Sequence, residues 1–199
     1  MLTKILVGVG ALLAAVPVLF VAAGMVMFTL GGDEWPPVRE NSAAAADLPP
    51  GALALAEADP DALAAAVLSH PRIGLRPAAR RDVERGAVDP RVLAVLLVVA
   101  ERHELSWVGP FATGHSFFVH GTHRPSNHAF GRAVDVPMVD DEAVTARNEG
   151  ARDAVRLVAA LPPSMRPDET GCPWADLEAL EGVFSDRSHD DHLHFGFDA

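Results

Sequence analysis

The chain has 199 residues, enough for one domain of ordinary size plus an extra segment. Its net charge is −11, and no run of Lys or Arg exceeds two residues, which excludes nucleic acid as a partner because phosphate binding needs a clustered positive surface. One cysteine, Cys172, excludes an internal disulfide and a thiolate-rich zinc site, and reads as a small, partly buried residue beside Trp174.

Residues 5–30 carry no charge. At about 1.5 Å of rise per residue, roughly 20 apolar residues cross a hydrocarbon core, so this stretch predicts a membrane-spanning helix. Lys4 precedes it and Asp33 and Glu34 follow it, which orients the N-terminus to the cytoplasm and the rest outward. It is longer than the apolar core of a cleaved signal peptide, about 7–15 residues, so the expectation is an uncleaved anchor over 1–32. Residues 33–56 hold Gly31-Gly32 at their border, then Pro36-Pro37, an Ala run and Pro49-Pro50. They read as a linker.

The remaining residues, 57–199, are expected to form the domain, with a helical part over 57–104. Asp59-Pro60 supplies a cap and a first-turn proline for a helix over 60–69. A second helix is expected over 77–85, ending at Gly86. Asp89-Pro90 repeats the start signal for a helix over 90–103. Its middle is apolar on nearly every face from Val92 to Ala100, so it should be buried at the centre. Short strands are expected over 105–111, 117–119 and 129–139. A helix is expected over 144–161, stopped by Pro162-Pro163. In the last segment Leu193, Phe195 and Phe197 alternate with His192, His194 and Gly196, a strand with two distinct faces. The fold class expected is α+β, with helices packed on a mainly antiparallel sheet. Trp107, Phe111, Phe117 and Phe118 are expected in the core or a cleft wall.

Nine histidines occur, and seven fall in two short stretches: His115, His120, His123 and His128, then His189, His192 and His194. Histidine clustering without cysteine points to zinc. Residues two apart on a strand share a face, so His192 and His194 project together. In the first stretch, His128 is followed seven residues on by Asp135. Gly131 between them permits a bend that returns the carboxylate toward the imidazole. Asp135 stands between Val134 and Val136, and a buried carboxylate is costly unless paired or bound to metal. Two histidines, one carboxylate and an open fourth position form the usual catalytic zinc arrangement. The residues themselves offer His128, Asp135 and the pair His192 and His194 as candidate ligands, with Zn2+ as the expected cofactor.

The residues Ser126, His128, Gly131, Ala133 and Asp135, followed by His192 and His194, carry a resemblance. Over about 105–199 the chain resembles the zinc peptidases grouped with D-alanyl-D-alanine carboxypeptidases, murein endopeptidases and the hedgehog amino-terminal domain. The resemblance implies that His128, Asp135 and His194 bind the metal. Many carboxypeptidase members place a glutamate shortly before the last ligand, where this chain has His189. They also place a substrate-binding arginine where this chain has Thr113-Gly114-His115-Ser116. The implied activity is therefore endopeptidase-like, and the implied substrate is a peptidoglycan peptide. His192 and His189 are the expected proton carriers, and Ser126 and His115 the expected substrate contacts. A non-catalytic zinc-binding envelope or regulatory domain is the alternative. A two-metal phosphoesterase would need several bridging carboxylates, and only Asp135 is well placed for that. His120, His123 and Arg124 read as exposed loop residues, and His70 and His103 as helix-end residues without a catalytic role.

Overall fold

The computed structural model describes residues 48, 49 and 51–199. The expected anchor over 1–32 and the linker from 33 to 47 lie outside the described residues. Among the described residues no helix is long and apolar enough to cross a membrane. The linker ends earlier than expected. Ala52–Glu57 forms a 3-10 turn, Ala52 is buried in the core, and Leu48 and Leu55 pack against that core. Apolar side chains that find a core to cover become part of the domain, whatever the prolines beside them.

Four helices follow in chain order: α1 (Pro60–Ser69), α2 (Pro77–Glu84), α3 (Pro90–Ala100) and α4 (Glu149–Ala159). The Asp59 side chain caps α1 by accepting from the amides of Asp61 and Ala62, and Asp89 caps α3 by accepting from the Arg91 amide. All nine residues from Val92 to Ala100 are buried, and α1 and α4 pack on α3. Each Val or Leu so buried contributes about 1.5–3 kcal/mol, which makes α3 the main organiser of the interior. α3 stops at Ala100 rather than running to His103. The His103 ring is engaged elsewhere, with Nδ1 2.7 Å from Asp140 and Nε2 3.2 Å from Asp153 on α4.

Eight short strands complete the fold: β1 (Ile73–Leu75), β2 (Leu105–Val108), β3 (Ala133–Val136), β4 (Met138–Val139), β5 (Glu142–Ala143), β6 (Glu169–Gly171), β7 (Val183–Phe184) and β8 (Leu193–Gly196). They form two four-stranded mixed sheets, not the single mainly antiparallel sheet expected. One has the order β1-β2-β4-β5 and the other β3-β8-β6-β7. The pairs β1·β2 and β6·β7 are parallel, and the remaining pairs are antiparallel. The class is α+β, as expected.

Three boundaries move for identifiable reasons. Helix α4 begins at Glu149 because β4 and β5 form a hairpin around Asp140-Asp141, both at positive φ, as a tight hairpin turn requires. Asn148 then caps α4 through the Ala151 amide while its own amide donates to the carbonyls of Val139 and Glu142. The strand expected over 129–139 breaks into a 3-10 turn, Asn127–Phe130, followed by β3 and β4. The strand expected over 117–119 reduces to one bridge between Phe118 and Pro125. Phe111 is buried, and Cys172, expected to be partly buried, is fully so. Trp107, Phe117 and Phe118 are exposed, at 60%, 55% and 46%, which excludes the core half of the expectation, while Trp107 lines a surface hollow with Leu75 and Pro77.

The two sheets meet at the start of the candidate site. The Gly109 amide donates to the Asp135 carbonyl at 2.8 Å, and the Asp135 amide donates to the Pro110 carbonyl at 3.3 Å. The segment after β2 is thereby fastened to the middle of β3.

Candidate metal centre

Local structure explains how His128 and Asp135 come together. The Ser126 hydroxyl accepts from the His128 amide and starts the 3-10 turn, so this buried serine shapes the turn rather than lining the cleft. Gly131 closes the turn at φ 68, in the left-handed region. A Cβ there would stand 1.9 Å from the Ala87 carbonyl oxygen, so both conformation and space call for glycine. The chain then enters β3, whose Asp135 is paired in register with His194 on β8.

Three ligand-type atoms converge. His128 Nε2 lies 3.2 Å from Asp135 Oδ1 and 3.2 Å from His194 Nδ1. His194 Nδ1 lies 3.2 Å from Asp135 Oδ1. His128 is nearly inaccessible, at 1% exposure, and His194 is buried. His115 stacks on His128 with ring centroids 3.9 Å apart and planes 12° apart. His115, His128 and Asp135 present ligand atoms within 4.8 Å of one another, a group that can hold a metal ion.

The tautomers follow from the outer contacts. His128 Nδ1–H donates to the Phe111 carbonyl at 2.7 Å, which leaves the Nε2 lone pair facing the cluster. His115 Nδ1–H donates to the Ser116 carbonyl at 2.8 Å, which likewise frees its Nε2. Phe111 is held in place by a group that sequence reading did not single out. Asp82 on α2, 1% exposed, accepts from the amides of Ala112 and Thr113 and from the Thr113 hydroxyl. Burial pushes the Asp82 carboxyl up, but these hydrogen bonds outweigh it and hold it below the ordinary carboxylate value. Only the ion pair to Arg85, three residues on, is local; the Ala112 and Thr113 groups that give Asp82 its role lie about thirty positions away, so nothing in the surrounding sequence marks it.

The electrostatics are those of a buried cationic–anionic cluster. Burial pushes Asp135 up, yet hydrogen bonds from His128 and His194 hold it far below the usual carboxylate range. Burial pushes His194 down, but Asp135 and Glu169 overcome it and push the imidazole up to about 9. In that protonated form the His194 Nδ1–H faces both Asp135 Oδ1 and His128 Nε2.

His192 and His189 also reach this region. His192 Nε2 lies 3.6 Å from Asp135 Oδ1, and its Nδ1–H donates to Asp191 at 2.7 Å. His189 sits in the 3-10 turn Arg187–His189, with Nδ1–H donating to Asp186 at 2.7 Å and its ring centroid 5.2 Å from that of His192. Burial is the leading cause that holds His189 below its usual value. Asp135, His192 and Asp191 open on a cleft lined also by Arg76, Gly109, Pro110 and Pro137. His120, His123 and Arg124 are exposed, as expected.

No protein-family model matches this chain, and no curated protein or solved structure matches it.

Proposed function

We propose that this chain is a zinc-dependent peptidase of the cell envelope, tethered by residues 5–30 and acting, endopeptidase-like, on peptidoglycan peptides. The observation that carries this reading is the triangle of His128 Nε2, Asp135 Oδ1 and His194 Nδ1, with all three edges at 3.2 Å. Zinc–ligand bonds of about 2.0–2.1 Å in a tetrahedron put neighbouring ligand atoms about 3.3 Å apart, so the three atoms fit one face of a zinc site. The carboxylate and two imidazoles are also the donor types that zinc prefers, and the adjoining cleft gives a peptide a way in.

Zinc held there supplies a Lewis acid and an acidified water. The chain's own residues supply proton handling. With its Nδ1–H committed to Asp191, His192 has a free Nε2 lone pair beside Asp135, able to take a proton from the nucleophile and return it to the leaving amine. His189, oriented by Asp186, is the second candidate carrier. The likeness of the segment 126–135 and of His192 and His194 to the murein endopeptidases supports the substrate class.

A second reading has its own observation. His115, stacked on His128 with its Nε2 free, can fill the remaining coordination position and close the site, as in a purely structural zinc centre. The full-length chain, purified in detergent and incubated with zinc and muropeptides, separates the two. Release of new amino groups that disappears in His194→Ala is the expected result. Stoichiometric zinc without any cleavage would transfer the case to the non-catalytic reading, and no zinc at all would remove both.

A further inference from the structure

The two halves of the triangle come from distant parts of the chain, and one carboxylate contacts His194 in one half and Asn127, the neighbour of His128, in the other. Glu169 lies on β6 opposite Gly196 of β8, on the sheet face shared with His194. Its Oε2 is 3.7 Å from His194 Nε2, an ion-pair distance longer than a hydrogen bond. The same Oε2 accepts from the Asn127 side-chain amide at 3.0 Å, and Asn127 immediately precedes His128. Its Oε1 accepts from both terminal nitrogens of Arg124 at 3.0 Å. Asn127 also donates to Asp198 at 3.2 Å.

Gly196 leaves the room for this contact. A Cβ at that position would stand 2.8 Å from His194 Nε2 and 3.2 Å from Glu169 Oε2. The imidazole therefore has one nitrogen, Nδ1, turned to Asp135 and His128, and the other, Nε2, turned to a carboxylate that is itself held on both oxygens. An outer carboxylate facing the second nitrogen of a ligating histidine favours the ring orientation that turns the other nitrogen to the metal and raises its basicity, here by charge at 3.7 Å.

We infer that Glu169 is the positioning residue for His194: it holds the ring with Nδ1 toward the metal position and, through Asn127, ties His194 to the turn that carries His128. The inference rests on the zinc reading above. It assigns Glu169 no contact with substrate. Arg124, 57% exposed, serves only to hold the outer carboxylate oxygen.

The test is zinc affinity, measured on the full-length chain by competition with a chromophoric chelator. Glu169→Gln keeps the shape and removes the charge, and zinc binding should weaken 10- to 100-fold. Arg124→Gln removes the outer pair but leaves the carboxylate beside His194, and affinity should stay within about threefold, as expected for a largely exposed ion pair. Glu169→Asp, with a shorter reach but the same charge, should recover part of the loss. Wild-type affinity in Glu169→Gln overturns the inference. So does an equal loss in Arg124→Gln, because the loop and not His194 would then set affinity. Should Glu169→Gln fail to fold, the other two variants still decide: a smaller loss of affinity in Glu169→Asp than in Arg124→Gln counts against the inference. Absence of zinc from the unsubstituted chain is a different result, and it sinks the zinc reading itself.

Discussion

Substituting Gly131 by alanine tests the turn that brings His128 and Asp135 together. Two costs can be worked from the structure. Alanine at φ 68 carries a left-handed penalty of about 1–2 kcal/mol. Its Cβ would also stand 1.9 Å from the Ala87 carbonyl oxygen, so the turn must retreat roughly 1.5 Å to bring that contact back to 3.4 Å. Both sides of the clash are backbone, and no side chain can swing away. The retreat breaks the hydrogen bond from the Asp89 amide to the Gly131 carbonyl, 2.8 Å long and worth about 1 kcal/mol. The expected destabilisation is about 2–4 kcal/mol, a fall of roughly 5–15 °C in melting temperature for a domain of this size. It should be measured with chelator present, so that metal binding does not mask it. Because His128 rides on the same turn, zinc affinity should fall at least tenfold. A melting temperature within 2 °C of the unsubstituted chain, with zinc affinity unchanged, would refute this account of how the site is assembled.

Asp135→Asn should abolish measurable zinc binding and, by removing the anion between two buried imidazoles, destabilise the metal-free chain by about 3 kcal/mol in urea unfolding. Asp82→Ala leaves two amides and a hydroxyl without their acceptor, and should cost about 2–4 kcal/mol in the same assay. The metal-free chain should also show a pH signature in calorimetry with chelator. His194 is raised from 6.5 to about 9 in the folded state, so its contribution is complete below pH 6.5 and is lost as pH rises through 9. Glu169 is lowered from 4.5 to about 2, so its contribution is complete above pH 4.5 and is lost as pH falls through 2. His115 and His189 are held below 6.5 by burial, so they cost stability as pH falls below 6.5, and the profile should peak near pH 6.5 and decline toward pH 9. A flat profile from 6.5 to 9 would show that His194 is not protonated against Asp135.

Local signals in the chain were sufficient for what local physics controls. Asp59-Pro60 and Asp89-Pro90 start helices because a cap and a fixed φ act within one turn. The run from Val92 to Ala100 is buried because no face of it can meet water at low cost. The spacing from Ser126 to Asp135 contains its own turn, closed by Gly131, and the alternation at the C-terminus sets which side His194 takes. What the tertiary structure alone decided depends on partners far away in sequence. Strands of two to four residues, such as Glu169–Gly171 and Val183–Phe184, carry too short a pattern to announce themselves and exist through the ladders that pair them. Two sheets form where one was expected because β3 pairs with β8 rather than continuing into β4's sheet. Trp107, Phe117 and Phe118 are apolar but exposed, and residue type alone does not say which apolar side chains the folded core takes in. Asp82 and Glu169 are ordinary acidic residues until folding sets one against the loop of Phe111 and the other against His194. Burial and distance give a carboxylate its role, and neither is a property of the chain before it folds.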